Sequence, residues 1–157
     1  MLETIKINGT EIIFDKEKTE LHLTDYNKPC ECQNCRNFYE NINRNKELMT
    51  FLEKFGVYHN YTDEVFSWDY IETLIHSEAY YGVYGVINGE DFSFEKYGVT
   101  ITFTSQPQIP FNHDRYGDYF WIVIEADFSW VLDEPQEIEK LSRKEIFIDI
   151  IKAIFKR

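Results

Sequence analysis

The first 23 residues alternate between apolar and polar positions. Ile5 and Ile7 lead into Asn8-Gly9, then come Ile12 and Phe14, then Leu21 and Leu23. Asn-Gly between alternating runs tolerates the positive φ values of a type I′ turn, which makes it the strongest short hairpin signal. A three-stranded meander over 3–23 is therefore expected. A polar loop, 24–35, follows and carries Pro29 and three cysteines. The period then changes. Phe38, Ile42, Met49 and Leu52 lie near one face of a helix over 35–55, flanked by Leu48, Phe51 and Phe55. Asn34 is placed to cap this helix, and Gly56 to end it in the left-handed conformation. Residues 63–76 are expected to form a short second helix.

From Ala79 the period of two returns. Tyr81, Val83 and Ile87 share one face, Tyr80, Tyr84 and Val86 the other, and Gly82 and Gly85 mark a bulge or a close backbone approach. Asn88-Gly89 is a second hairpin signal. Val99, Ile101 and Phe103 alternate with three threonines, as a half-buried strand does. The longest strand is expected at 118–128, with Phe120, Ile122, Ile124 and Phe128 facing one way and Tyr119, Trp121, Val123, Glu125 and Asp127 the other. Ser142-x-x-Glu145 opens a helix over 142–156 with an Ile/Phe stripe. The elements add up to a single α+β domain over 1–157. It has an antiparallel sheet of about six to seven strands and two or three packed helices. The connection 105–118 is the longest, and its length suggests a functional loop.

Charge changes this picture by giving it a location. The 157 residues carry a formal net charge of −12, but sixteen acids and only two bases, Lys96 and Arg115, fall within 56–139. The same acidic sheet region holds nineteen of the aromatic residues, while 140–157 is basic. Acids mixed with Tyr and Trp belong to a folded face rather than a disordered tail. The plain reading is a solvated face over an aromatic core. The sharper one is a surface that docks a basic protein, with carboxylates steering and aromatics anchoring. Tyr80, Tyr84, Trp121, Glu125 and Asp127 are the candidate contacts. Negative charge excludes nucleic acid as the expected ligand. No apolar stretch reaches the length of about 18 residues that a membrane span needs. The opening MLETIKINGTEIIF lacks the basic start and apolar run of a secretory signal, so a cytoplasmic location is expected. Oligomeric state is not legible.

All three cysteines fall in Cys30-Glu-Cys32-Gln-Asn-Cys35. In a reducing compartment they stay thiols, and three thiols in six residues at a helix start suit a metal. Zinc in a structural site wants four ligands, so a histidine must join. His22 is nearest in sequence, with His59, His76 and His113 as alternatives. Two other readings stand beside zinc: ordinary small residues at a tight junction, and a dithiol motif at Cys32-x-x-Cys35 whose thiolate the helix end would favour.

The run Cys30-Glu-Cys32-Gln-Asn-Cys35-Arg36-Asn37-Phe38-Tyr39 resembles the opening of a group of short, uncharacterised bacterial proteins with C-x-C-x2-C-R-N followed by aromatics. Phe51-Leu-Glu-Lys-Phe-Gly-Val57 and Trp130-Val-Leu-Asp-Glu-Pro135 are similar to that group as well. The resemblance covers roughly residues 20–135. It implies a family label but no activity, and it carries no catalytic residue to this chain.

Phosphate-binding glycine loops, the nucleophile elbow, H-E-x-x-H and the EF-hand loop are all missing from the sequence. His113-Asp114-Arg115 offers a base, a carboxylate and an anion clamp, but reads first as a solvated turn. The leading expectation is a non-enzymatic binding protein, immunity- or inhibitor-like, that docks a basic partner, with no catalytic residues assigned. The alternative is a small enzyme or redox or metal protein working through Cys30, Cys32 and Cys35. A third possibility is a small-ligand binder that uses the aromatic face as a stacking platform.

Overall fold

The computed structural model describes residues 1–26, 28–69, 74–106 and 117–136. In chain order it comprises β1 (Leu2–Ile7), β2 (Thr10–Asp15), α1 (Lys16–Tyr26), α2 (Gln33–Arg44), α3 (Lys46–Glu53), β3 (Glu64–Asp69), β4 (Leu74–Asn88), β5 (Phe92–Lys96), β6 (Val99–Thr104) and β7 (Tyr119–Ser129). The seven strands form one antiparallel sheet in the order β1-β2-β4-β7-β6-β5, with β3 also paired to β4. This is the α+β domain that the hydrophobic pattern predicts.

Two tight hairpins anchor the register. Asn8 and Gly9 both take positive φ between the paired Ile7 and Thr10, as expected. Tyr97 and Gly98 do the same between Lys96 and Val99, where the sequence carries no Asn-Gly signal. The second Asn-Gly, at 88–89, makes no hairpin: among the described residues β5 pairs with β6 alone, and both edges of β4 are taken by other strands.

Several expected elements come out differently, each for a local reason. The third strand of the expected meander is α1. The Asp15 carboxylate accepts the Lys18 amide at 3.1 Å and opens a helix there, so Leu21 and Leu23 lie on a helix instead of alternating along a strand. The expected helix over 35–55 is two helices. Asn45, at φ −99 and ψ 82, breaks the first and caps the second by accepting the Leu48 amide at 3.2 Å. Its Nδ2 donates to the Tyr97 carbonyl at 2.7 Å, tying the break to the β5–β6 turn. Cys32 rather than Asn34 takes the N-cap position of α2. Gly56 has the positive φ expected of it, 75°. Residues 64–69 are a strand, not a helix: Val65 joins the main core while Phe66 packs on the opposite face, the alternation of a two-sided strand. The longest strand is β4, with fifteen residues. The expected helix over 142–156 and most of the 105–118 connection lie outside the described residues.

The core sits between α2, α3 and one face of the sheet. Cys35, Phe38, Tyr39 and Ile42 recur at helical spacing along α2 and are buried, as are Leu48, Phe51 and Leu52 of α3. They meet Ile12, Phe14, Tyr81, Val83, Ile101, Phe103, Phe120, Ile122 and Ile124. Aromatic rings dominate the contact: Phe14 lies 4.8 Å from Phe55, Phe55 lies 5.6 Å from Phe103, and Phe38 lies 5.6 Å from Phe128.

One edge of β4 serves two strands. Residues 75–80 pair with β3, and 85–88 with β2. Side chains fill the stretch between. The Asp63 carboxylate accepts the Gly82 amide at 2.6 Å, and Thr19 Oγ1 of α1 accepts the Tyr84 amide at 3.1 Å. The same Thr19 hydroxyl donates to the Asp15 carbonyl at 2.8 Å, and the residue is wholly buried. Thr19→Val keeps the shape but leaves the Tyr84 amide unpaired. A buried donor left alone costs about 1–3 kcal/mol, and urea denaturation should show a loss in that range. Thr19→Ser, which keeps the hydroxyl, should lose clearly less.

Candidate metal centre and the acidic sheet face

Cys30 and Cys32 end the loop that enters α2, and Cys35 lies in its first turn. Cys32 is the N-cap, and the Arg36 amide closes the first helical turn on its carbonyl at 3.0 Å. The turn brings the sulfurs of Cys30, Cys32 and Cys35 within 4.8 Å of one another, with no disulfide between them. Cys35 points into the core, while Cys30 and Cys32 are exposed. That arrangement is close enough to hold a metal ion.

Electrostatics separates the thiols. Burial works against ionising Cys32, but the Cys35 amide, the neighbouring Cys30 and Cys35 thiols and the Asn34 amide outweigh it and lower its pKa. No side-chain hydrogen bond closes the cap, yet these amides aim their partial positive charge at the sulfur. Cys35 moves the other way, pushed up by burial first and then by the two thiols beside it. Tyr39, one turn along α2, is pushed up to about 12, chiefly by burial. Its hydroxyl lies 3.1 Å from Thr62 Oγ1.

The turn is braced by the chain that follows β7. Asn37, almost fully buried, donates from Nδ2 to the Ser129 carbonyl at 3.2 Å and accepts the Val131 amide on Oδ1 at 2.8 Å. Asn41 Nδ2 also donates to Ser129, at 3.1 Å. Arg36 pairs with the Glu134 carboxylate, and its Nε donates to the Glu31 carbonyl at 3.0 Å. Trp130 Nε1 donates to the Glu134 carbonyl at 2.7 Å, holding that carboxylate's own turn in shape. Two sequence stretches about ninety residues apart, Cys-Arg-Asn and Trp-x3-Glu-Pro, thus form one unit. Spacing arguments along the chain singled out the thiols and missed Arg36, Asn37 and Glu134 as their support. Asn37 carries one usable signal, a polar residue inside the apolar stripe of a helix.

His22, expected as a fourth ligand, stands elsewhere. Its Nδ1 is 3.3 Å from the Tyr84 hydroxyl, and the two rings meet edge-on at 5.5 Å. Among the described residues, the group able to share an ion is the three cysteines. His59 is half-buried near the C-terminal end of α3, its pKa lowered first by burial and then by Lys46. His113 lies outside the described residues.

The candidate docking residues share the sheet face opposite α2 and α3. Cross-strand pairing sets Tyr84 against Tyr119, Gly82 against Trp121, Tyr80 against Val123, Glu78 against Glu125 and His76 against Asp127. The three rings proposed as anchors are buried: Tyr80 is 2%, Trp121 5% and Tyr84 8% exposed. Tyr80, Trp121 and Val123 form a second, smaller apolar cluster with Phe66 and Tyr119. The Glu125 and Asp127 side chains are open, at 47% and 48%. His76 bridges them, with Nδ1 2.7 Å from Asp127 and Nε2 3.3 Å from Glu125. Trp68, an exposed ring on the adjoining strand β3, lies 4.9 Å from the His76 ring. A hollow of about 430 Å³ beside them is lined by Glu78, Tyr80, Asp91, Ser93, Thr102 and Glu125, among others. The Tyr80 hydroxyl donates to Glu78. Alternation does not place Trp68 or His76 among the contacts, because the sequence pattern predicts a helix over 63–76.

No helix among the described residues is long and apolar enough to cross a membrane. Compared with protein-family models, with curated proteins and with solved structures, the chain matches none.

Proposed function

We propose that this chain is a metal-binding protein whose Cys30, Cys32 and Cys35 hold a thiophilic divalent ion, zinc in a reducing compartment. The observation that carries the reading is the approach of three sulfurs within 4.8 Å in one turn. Thiolates select zinc over hard cations, and amides at a helix start favour the thiolate form. The ion would tie the Cys loop to α2, and through Asn37 and Arg36 to the chain after β7. Protein purified without chelator should carry about one equivalent of zinc. Free zinc at a hundred times its dissociation constant should add about 2.7 kcal/mol to unfolding stability. Cys35→Ser should abolish both effects. Zinc content well below one equivalent, with stability indifferent to added zinc, would sink the reading.

A second reading concerns the opposite face of the sheet, and one observation favours it. Glu78 stands directly across from Glu125, a like-charge pair that weakens a ladder. The Tyr80 hydroxyl and the His76 ring already contact it, and a Lys or Arg from a partner would add a cation on its open side. With Asp127 and Asp91 nearby, this face would dock a basic protein, a Lys or Arg entering the hollow and Trp68 lying under its neighbours. Low-salt pull-downs should recover a basic partner that the Glu78→Gln/Glu125→Gln double variant fails to hold. Its on-rate should fall steeply with ionic strength. An on-rate that ignores salt would remove this reading.

A further inference from the structure

We infer that a metal on Cys30, Cys32 and Cys35 keeps an open fourth coordination position, taken in exchange by a small neutral donor such as water or an imidazole nitrogen. This rests on the thiolate-metal reading above. Its ground is the disposition of the three sulfurs. All come from a single six-residue turn, so they approach an ion from one side. Cys35 is buried while Cys30 and Cys32 are exposed, so an ion held by all three would have its outer side toward solvent. A hollow of about 350 Å³ adjoins Cys32 there, lined by Glu31, Gln33, Asn34 and Arg36. No His, Asp or further Cys among the described residues comes within ligand range of the three, and His22 is engaged with Tyr84. Zinc with three protein ligands characteristically takes water or an incoming molecule as its fourth.

Charge selects the kind of donor. Three thiolates on a divalent ion leave one net negative charge, and a further anion would add to it. Arg36, the cation lining the hollow, is already paired with Glu134. A neutral oxygen or nitrogen donor therefore fits better than a carboxylate.

The test uses the full chain loaded with Co²⁺, whose visible bands report the fourth ligand and whose near-ultraviolet thiolate charge-transfer band reports the sulfurs. Titrated imidazole should shift the visible bands saturably while the charge-transfer band persists. Acetate should need a far higher concentration to do the same. Visible bands unmoved by imidazole would overturn the open position, and a starting spectrum altered by His113→Ala would then name the chain's own donor. Acetate acting as readily as imidazole would overturn the preference for a neutral donor. Loss of the charge-transfer band on adding imidazole would mean that a thiolate leaves, and would overturn the inference too. Failure of Co²⁺ to produce any charge-transfer band, with the wild type matching the triple Cys→Ser variant, would take down the metal reading itself.

Discussion

Gly85→Ala should cost this protein about 3 kcal/mol or more of folding stability. A Cβ on Gly85 would stand 2.2 Å from the Ile13 carbonyl oxygen and 2.7 Å from the Phe14 Cα. Both are backbone atoms of β2, so no side chain can swing aside. Relief requires β2 to draw away from β4, giving up the pairing of Phe14 with Gly85 and of Ile13 with Val86. The strand also runs through Gly85 at a φ of 153°. Gly9→Ala is the control. Gly9 has positive φ too, but no atom stands within 4 Å of its added methyl, so only backbone strain of about 1–2 kcal/mol applies. Urea denaturation of the two variants should separate them clearly, and equal losses would refute the close approach.

Phe38→Ala should cost about 3–5 kcal/mol, the range for emptying a buried ring site. Phe38 is wholly buried, three residues past Cys35, and meets Phe128 edge-to-face at 5.6 Å, with Tyr39 at 6.0 Å. It fastens the first turns of α2 to β7, the strand whose outgoing chain braces the cysteine turn. The variant should therefore also bind zinc more weakly than the wild type under conditions where both are folded. Phe38→Leu, which refills most of the space, should recover most of the stability and the affinity. Loss of stability with unchanged zinc affinity would show that the thiols keep their arrangement without α2's docking.

The sheet was legible where the period of two is kept, whether the outer face is partly open, as in β6, or covered, as at Trp121 and Val123 of β7. Val99, Ile101 and Phe103 alternate with threonines, and Phe120, Ile122 and Ile124 with Trp121 and Val123, so their faces follow from spacing alone. Where one side chain decides the local structure, spacing misled. Leu21 and Leu23 continued the period of two, but the Asp15 carboxylate on the Lys18 amide turned the chain into α1. Asn45 sits inside a continuous apolar stripe, and the helix breaks there because its side chain caps Leu48 and holds the distant Tyr97 carbonyl. Residues 64–69 carry Val, Phe and Trp at neighbouring positions, which suits a strand with two apolar faces and also imitates a short helix. The candidate metal centre was half legible. Sequence proximity alone assembled the three thiols, whereas Glu134, Ser129 and Val131 reach α2 only through the fold. The aromatic anchors illustrate a different limit: alternation assigns Tyr80 and Trp121 to a face and leaves open how far that face is covered.

The divided edge of β4 bears on how this sheet opens. In an uninterrupted ladder, each amide exchanges its hydrogen when a neighbouring strand peels away. At Gly82 and Tyr84 the acceptors are Asp63 and Thr19, one in the connection leading to β3 and the other on α1. These two amides, in the middle of the longest strand, are guarded by the attachments of other segments. Their exchange would follow the undocking of α1 and of that connection, while amides on the β7 side of the same strand would wait for the sheet to come apart. One strand would thus report two distinct opening events at adjacent residues.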